Sequence, residues 1–376
     1  MKATAAAIPR NSLMDRVIRK GWIGKTFLII VAVAVLFLLI INPIRDNPVL
    51  FAQQVVNGLQ LGFVYALIAL GYTMVYGIVR LINFAHGDVF MVGAFTSYFA
   101  IARFSLNTWP ERVIPGLPDW LSTTIGVITV ILLSMLTCAF LAFTIERIAY
   151  KPLRNAPRIS ALITAIGVSF FLEYFGALPF VYTSNFITYK RPFPVQTWAI
   201  GAQGISQVTP TTPAPENTIL INNIQVIIII VSILLVLILN YIVRQTRVGK
   251  AMRASAYDKP TSRLMGINVD GVISATFAIG AALAGAAGVL YAIAYNQVYF
   301  VMGILPGLKA FVAAVLGGIG SIPGALVGAL IIGQAENLSA AYISSPMRDA
   351  AAFTILVLVL LVRPTGIFGE PSREKA

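Results

Sequence analysis

Long apolar stretches recur along the chain, and each is close to the length that a helix needs to cross a lipid bilayer. A transmembrane helix takes about 20 apolar residues, because each residue adds about 1.5 Å of rise. The stretches predict membrane helices at roughly 24–41, 52–78, 82–102, 122–144, 160–182, 220–243, 271–293 and 349–363. The predicted fold class is therefore all-α: a polytopic transmembrane helix bundle of about 8–10 membrane helices, including a short broken pair near 307–335.

Composition excludes several other classes of protein. Hydrophobic residues make up 58% of the chain and charged residues 11%, whereas a soluble domain carries about 25% charged residues. The net charge of +13 lies in short loops between apolar runs, so we expect a lipid bilayer as partner and no nucleic acid. The single cysteine, Cys138, and single histidine, His86, exclude an intrachain disulfide and a multi-histidine metal site. We expect no metal and no cofactor.

Basic residues predict the orientation of the helices, because Lys and Arg accumulate in cytoplasmic loops. The leader 1–25 is basic, as are the loops after the second, fourth and sixth predicted spans and the tail 364–376. The polar stretch Asn42–Asp46 stands where a signal peptide would carry a small-residue cleavage site, so we predict that the first span is uncleaved. Both termini are then cytoplasmic, in a multi-pass protein.

The glycine-rich stretch 307–335 must leave and return to the same side in this topology. It is too short for two full spans. We predict two short helices joined near Gly320 and Gly324, either as a re-entrant hairpin or as a tightly bent pair. Such broken elements occur in membranes only where protein or an aqueous cavity surrounds them, and they often mark a transport pathway.

Rows of small residues at helical spacing form another pattern. They include Gly58 with Gly62, and the row Gly280, Ala284 and Gly288. Small residues four apart allow two helix backbones to approach closely. We interpret them as packing within one subunit; an interface with a partner subunit is the alternative.

A few polar side chains interrupt the apolar runs. Asn83, His86 and Asp88 lie at the predicted start of the third span. His86 and Asp88 could relay protons, but we favour a helix start near the membrane interface, whose polar residues satisfy free backbone N–H groups. Glu173 lies near the middle of the span 160–182, a depth at which an ionisable group is costly and often functional. It is either a functional residue or a structural partner of a cation such as Lys309.

The longest predicted cytoplasmic loop, 244–270, is basic but also carries apolar side chains. Residues 248–257 suit a short amphipathic helix, and residues 262–266 a further turn. Short helices with apolar anchors and basic residues are suited to dock in a groove of a soluble partner. The outside segment 203–218 is rich in Pro and Thr and is predicted to be an irregular loop.

No complete nucleotide-binding motif occurs in the chain. Gly24-Lys25-Thr26 resembles the end of a phosphate loop, but Arg19 stands where the pattern needs its first glycine. Any ATP hydrolysis is therefore expected on other subunits, and the chain itself is not expected to be an enzyme.

Several separate blocks resemble the branched-chain amino acid permeases of ABC importers, and in particular their H-type permease subunit. The blocks begin at Asn57-Gly-Leu-Gln-Leu-Gly62 and continue through Asn83-Phe-Ala-His-Gly-Asp88, Ile145-Glu-Arg-Ile-Ala-Tyr150, Arg247-Val-Gly-Lys-Ala-Met-Arg253, Met265-Gly-Ile-Asn268, Leu308-Lys-Ala-Phe311 and Arg363-Pro-Thr-Gly366. The resemblance runs from about residue 51 to the C-terminus. It divides the chain into a leader 1–25, an additional N-terminal helix and outside turn 26–50, a permease domain 51–363 with the coupling loop 244–270, and a tail 364–376.

The resemblance implies a heteromeric importer in the bacterial plasma (inner) membrane. Its partners would be a second permease subunit, two cytoplasmic ABC ATPase subunits and a periplasmic solute-binding protein, and its substrate an amino acid. Contact with the ATPase would be made by the coupling residues Gly249, Arg253, Tyr257, Asp258, Leu264 and Gly266. Relatives often carry Glu-Asp where this chain has Tyr257-Asp258, and we would expect a neutral amide at Glu173.

The candidate translocation path comprises seven residues: Asn57, Asn83, His86, Glu173, Lys309, Gly320 and Gly324. Branched-chain or other neutral amino acids are the expected solutes, with amides or urea as alternatives. Two other functions remain open. One is an ion-coupled secondary transporter that uses Glu173 and Asp88; the other is a membrane enzyme with His86 as a further acid–base group, which lacks a convergent nucleophile or metal set.

Overall fold

A computed structural model describes residues 40–154, 156–201, 204–209, 212, 214–363 and 365–369. The predicted basic leader, nearly all of the first predicted span and most of the tail lie outside these residues. The chain divides between Ala52 and Gln53 into two compact units. In the described part of the first unit, helix α1 (Asn42–Asp46) is followed by Asn47, whose Oδ1 accepts a hydrogen bond of 2.9 Å from the Leu50 N–H.

The second unit is mainly helical, which confirms the predicted fold class. Helix α2 (Pro48–Val79) begins in the first unit and continues into the second. The remaining helices are α3 (His86–Ala102), α4 (Trp109–Val113), α5 (Asp119–Ile145), α6 (Arg158–Gly176), α7 (Asn223–Gln245), α8 (Arg247–Tyr257), α9 (Lys259–Leu264), α10 (Val269–Tyr295), α11 (Ile304–Gly317), α12 (Ile322–Tyr342) and α13 (Met347–Val362). Within the described residues, 5 helices are long and apolar enough to cross a membrane.

Helix α10 forms the centre of the bundle, where small residues bring helix backbones together. The Gly285 backbone packs against Gly93 of α3 and Cys138 of α5, while Gly280 packs against Gly71 of α2. The glycine rows of the sequence are thus used for packing inside this chain, as predicted. Close backbone approach compensates for the absence of a hydrophobic driving force between helices in lipid.

Helix α3 begins deep inside the bundle. Its first residue, His86, lies against Gly71, which stands about 12 Å before the end of α2 at 1.5 Å per residue. Residues 80–85 are non-helical, and Arg80 at the turn has a left-handed φ of 58°. The connection between α2 and α3 therefore re-enters the bundle before the next helix starts.

Helix α11 also begins inside the bundle, at the same depth as α3. Its N-terminal residues Gly303 and Gly307 lie against the backbone of Gly87. The two helices run to opposite ends: Ser97 of α3 accepts a 3.2 Å hydrogen bond from Tyr189 Oη, whereas α11 leads to a turn near Gly77. Two helix N-termini thus meet in the middle of the bundle.

The predicted broken pair is present as α11 and α12, joined by residues 318–321. The turn uses left-handed glycines, Gly318 at φ 101° and Gly320 at φ 104°. The Ile367 N–H donates to Leu316 O at 2.9 Å, so the turn lies beside the segment that follows α13. Helix α12 extends to Tyr342, further than predicted, and α11 reaches the opposite end from Tyr295. The pair is therefore bent rather than a re-entrant hairpin.

The prediction of an irregular loop at 203–218 is wrong for its first part. Strands β2 (Thr197–Gly201), β3 (Gly204–Val208) and β4 (Ile219–Asn222) form an antiparallel sheet in the order β3-β2-β4, with Gly201 paired to Gly204. Pairing with β2, the strand that comes just before β3 in the sequence, supplies the backbone hydrogen bonds of this segment, and its Pro- and Thr-rich composition does not reveal that pairing. A second sheet pairs β1 (Ile187–Thr188) with β5 (Gln297–Val298).

Candidate functional site

A cavity of about 220 Å³ lies where the starts of α3 and α11 meet helix α6. Its apolar wall includes Tyr72, Phe84 and Ile304. Its polar wall is formed by Asp88, Ser169 and Glu173. A concave space with an apolar lining and a few convergent polar groups is the usual form of a small-molecule site.

Two carboxyl groups and a hydroxyl form the polar wall of this cavity. The Ser169 hydroxyl donates a hydrogen bond to Asp88 Oδ2, and the Glu173 side chain interacts with both residues. Ser169 and Glu173 share one face of α6, because they are four residues apart. Asp88 is 1% exposed and Glu173 5% exposed. Adjacent carboxyl groups repel when both are ionised, so the pair suits a shared proton or a bound cationic group.

The predicted helix start at Asn83, His86 and Asp88 is confirmed, because α3 begins at His86, but the predicted position near the membrane interface is wrong, because all three residues are buried. Ala85 is the N-cap of α3 and makes no side-chain cap, and the His86 ring is buried with its centroid 4.8 Å from that of Tyr72. Asn83 Oδ1 accepts a 2.6 Å hydrogen bond from Tyr150 Oη. These residues are buried because the helix begins inside the bundle, and not at its surface.

The suggested pairing of Glu173 with Lys309 is also wrong. Lys309 Nζ lies 2.8 Å from Glu336 Oε1 and 2.6 Å from Asp349 Oδ1, while Tyr65 Oη donates to Glu336 Oε2 at 2.9 Å. This cluster joins α2, α11, α12 and α13. Sequence reasoning missed Glu336, although the argument applied to Glu173 would have found it: an ionisable residue inside an apolar helix.

The other candidate path residues lie away from the cavity. Asn57 Oδ1 accepts a 2.8 Å hydrogen bond from Gln225 Nε2, near the N-terminal capping box of α7. Gly320 lies in the turn between α11 and α12, and Gly324 packs on the backbone of Gly317. Of the seven predicted residues, only Glu173 lines the cavity; His86 touches it through Tyr72, and Asn83 precedes Phe84 in its wall.

The short helix predicted at 248–257 is present as α8, and a second short helix, α9, begins before the predicted turn at 262–266. Thr246 caps α8 by accepting the Gly249 N–H at 3.1 Å, and Asp258 caps α9 by accepting the Thr261 N–H at 3.1 Å. Arg253 donates to Arg244 O at 3.1 Å at the C-terminal end of α7. Gly249 is packed against the α7 backbone, so these residues hold the loop in place.

Apolar side chains of the same loop point away from the bundle. Leu264 is 87% exposed, Tyr257 is 86% exposed and Met265 is 78% exposed, whereas Met252 of α8 is buried in the core. Gly266 has a left-handed φ of 81°, which ends α9 with a sharp turn. A short amphipathic element fixed at its base, with large apolar side chains exposed, is a surface suited to a protein partner.

An ionic cluster that the sequence did not reveal lies beside this loop. The Arg154 guanidinium contacts Glu146 and donates to Asp270 Oδ1 at 2.5 Å. Ser274 Oγ donates to Glu146 Oε2 at 2.5 Å, so the buried Glu146 carboxylate has two partners. The cluster joins the end of α5 to the start of α10.

Comparison with known proteins adds to this geometry. The family model for the permease component of branched-chain amino acid transport systems matches residues 54–362. The high-affinity branched-chain amino acid transport system permease protein LivH of Salmonella typhimurium is 44% identical over 86% of this chain and 97% of its own length. BraD of Pseudomonas aeruginosa, named for the same transport system, is 40% identical over 86% of this chain and 98% of its own length.

A more distant relative is the ribose import permease protein RbsC of Escherichia coli, 30% identical over 32% of this chain and 40% of its own length. No solved structure matches the chain. These relatives are transport permeases and not enzymes, and the apolar helices are those of a multi-pass membrane protein. The chain belongs to the family of permease components of branched-chain amino acid transport systems.

Proposed function

We propose that this chain is a permease subunit of an ATP-driven importer that carries branched-chain or other neutral amino acids across the bacterial inner membrane. The exposed apolar surface of Tyr257, Leu264 and Met265 carries this proposal. It lies on the loop predicted to face the cytoplasm, on helices fixed to the end of α7 by Thr246 and Arg253. Short helices with exposed apolar side chains and basic residues are suited to dock in a groove of a soluble partner such as an ATPase.

The importer would be completed by a second permease subunit, two cytoplasmic ABC ATPase subunits and a periplasmic solute-binding protein. The absence of a complete nucleotide motif from the sequence supports separate ATPase subunits. The names of the relatives support a multi-component transport system. Both termini would be cytoplasmic, and residues 51–363 would form the permease domain behind an additional helix at 26–50.

Transport would proceed by alternating access, with ATP binding favouring one of two states of the bundle. The cavity between α3, α6 and α11 lies on the proposed path. The ammonium group of an amino acid would face Asp88 and Glu173, and its side chain would face the apolar wall around Phe84. Hydrogen bonds between an ammonium group and a carboxylate are roughly twice as strong as those between neutral groups.

The test is uptake of labelled leucine into proteoliposomes that contain the complete complex, with ATP trapped inside. We expect uptake that requires both ATP and the binding protein. Uptake by this chain alone under a proton or sodium gradient would replace the proposal with the ion-coupled transporter, for which the Asp88–Glu173 pair supplies coupling groups. If the binding protein stimulates ATP hydrolysis but leucine is not taken up, the ATP-driven mechanism is retained and the proposed solute is wrong. Uptake of amides and urea would then be measured.

A further inference from the structure

The ionic cluster beside the coupling loop is shared between a fixed part and an exposed part of the protein. Asp270 Oδ1 accepts hydrogen bonds from two arginines, from Arg154 at 2.5 Å and from Arg263 at 3.4 Å. Arg154 lies between the end of α5 and the start of α10, whereas Arg263 lies in the last turn of α9. One carboxylate oxygen therefore connects the coupling loop to two helices of the bundle.

The two sides of this junction differ in burial and in the number of contacts. Glu146 is fully buried and is held by both Arg154 and Ser274, so the Arg154 side is fixed. The Arg263 side chain is 64% exposed, and its contact with Asp270 is longer than a typical N–H···O hydrogen bond. The Arg263 contact is thus the one that a pull on α9 would break first.

Like charges oppose the seating of α9 on the bundle. Lys259, the first residue of α9, lies near other cations. Burial makes the largest contribution to lowering the pKa of Lys259, and the charges of Arg154, Arg80 and Arg263 lower it further. Within the described residues, the acids of the cluster are Asp270 and Glu146. They face these cations and also Lys151, whose Nζ is 4.0 Å from Asp270 Oδ2. Helix α9 is therefore attracted through Arg263 and repelled through Lys259. An element balanced in this way can shift when a partner binds it.

We propose that Asp270 is a positioning residue that transmits displacement of α9 to the bundle. The proposal rests on the proposed function, because it requires an ATPase that moves α9. When Arg263 is pulled away, Asp270 stays with Arg154, so the balance of charge at the start of α10 changes. Helix α10 carries Gly280 against Gly71, next to His86 at the start of α3. A shift of α10 would thus reach Tyr72 in the cavity wall through Gly71 and the His86 ring.

The experiment compares variants in the complete proteoliposome complex by the ratio of leucine taken up to ATP hydrolysed. We expect Asp270→Asn to lower this ratio about fivefold or more, with uptake falling more than hydrolysis. Asp270→Glu should recover most of the ratio, because the charge is retained. Arg263→Gln should lower it in the same direction, and because Arg263 is exposed, this variant tests the proposal without disturbing the core.

The double variant Asp270→Asn with Arg263→Gln separates a shared contact from two independent effects. If Asp270 acts through Arg263, the double variant should resemble Asp270→Asn alone, because both changes remove the same interaction. The matched control is Arg147→Gln, which removes an exposed cation of the same region that stacks on Phe143 with 5.7 Å to the ring centroid. This control should leave the ratio unchanged.

The outcomes distinguish the two proposals. If the unmodified complex shows no ATP-dependent uptake of any solute, the proposed function fails. If the unmodified complex transports and Asp270→Asn keeps the normal ratio, the role of Asp270 is wrong. Equal loss of uptake and hydrolysis, together with a lower melting temperature, would also overturn it, because that pattern means a purely structural role.

Discussion

Gly87 and Gly303 lie backbone against backbone where two helices begin in the middle of the bundle. A Cβ atom added to Gly87 would lie 2.5 Å from Gly303 O, a separation that real Cβ atoms do not adopt. This contact brings the N-termini of α3 and α11 together and forms one end of the cavity. Because both partners are backbone atoms, neither can rotate away from a larger side chain.

We expect Gly303→Ala to destabilise the protein and to reduce transport. The added methyl group would collide with the Gly87 backbone, and overpacking of this kind costs about 1–3 kcal/mol. Thermal unfolding in detergent measures the effect. Gly167→Ala in α6 is the control, because its added Cβ would meet nothing within 4 Å. An equal melting temperature for the two variants would show that the helix starts are not tightly packed.

Glu173→Gln should weaken uptake while the complex stays assembled. A hydrogen bond to a charged group contributes about 1.5–3 kcal/mol, which corresponds to about a 10- to 100-fold change in apparent affinity. The measurement is the concentration dependence of leucine uptake in the complete complex, with ATP hydrolysis followed in parallel. Glu111→Gln is the control, because Glu111 is an exposed acid of α4. If Glu173→Gln leaves uptake unchanged, the cavity is not part of the translocation path.

Leu264→Asp should prevent the ATPase subunits from co-purifying with this chain. Leu264 is 87% exposed, so the substitution should change the free energy of unfolding of the chain itself by less than about 0.5 kcal/mol. Ile205→Asp is the control, because Ile205 is a 73% exposed apolar residue of β3, in the loop predicted to face the other side. If both variants retain the ATPase, the coupling surface lies elsewhere.

Lys259→Gln should stabilise the protein at neutral pH. Burial and neighbouring arginines lower the pKa of Lys259 below 10.5, so the folded state holds this proton less tightly than the unfolded chain does. The charge therefore lowers the free energy of unfolding below the folded pKa, and the penalty disappears as pH rises through that pKa towards 10.5. We expect a gain of less than about 1 kcal/mol, because the group is partly exposed.

Thermal unfolding of the Lys259→Gln variant across this pH range is the measurement. The gain should be largest near neutral pH and should vanish above 10.5. Lys250→Gln in α8 serves as the control, because Lys250 is an exposed lysine of the same loop. Equal gains for the two variants would show that only the net charge matters, and not the position of Lys259 against the arginines.

Several elements could be predicted from the sequence because their signals are local. The apolar runs predicted the membrane helices, since the length of a run and the thickness of a bilayer decide them residue by residue. Helix α8 followed from its own amphipathic pattern, and the α11–α12 turn from Gly320 and Gly324. Each of these signals lies within one short segment of chain.

The cavity and the ion pairs were decided only by the tertiary structure. Asp88 and Ser169 are 81 residues apart in sequence, and Arg154 and Asp270 are 116 residues apart, so no local pattern relates them. Glu173 was recognisable as unusual, but its partner was not: the sequence suggested Lys309, whereas the fold supplies Asp88. The start of α3 inside the bundle also depends on contacts between residues distant in sequence, because glycine contacts between helices determine how deep His86 lies. Hydrophobic patterning determined which segments cross the membrane; packing between segments determined which polar groups meet.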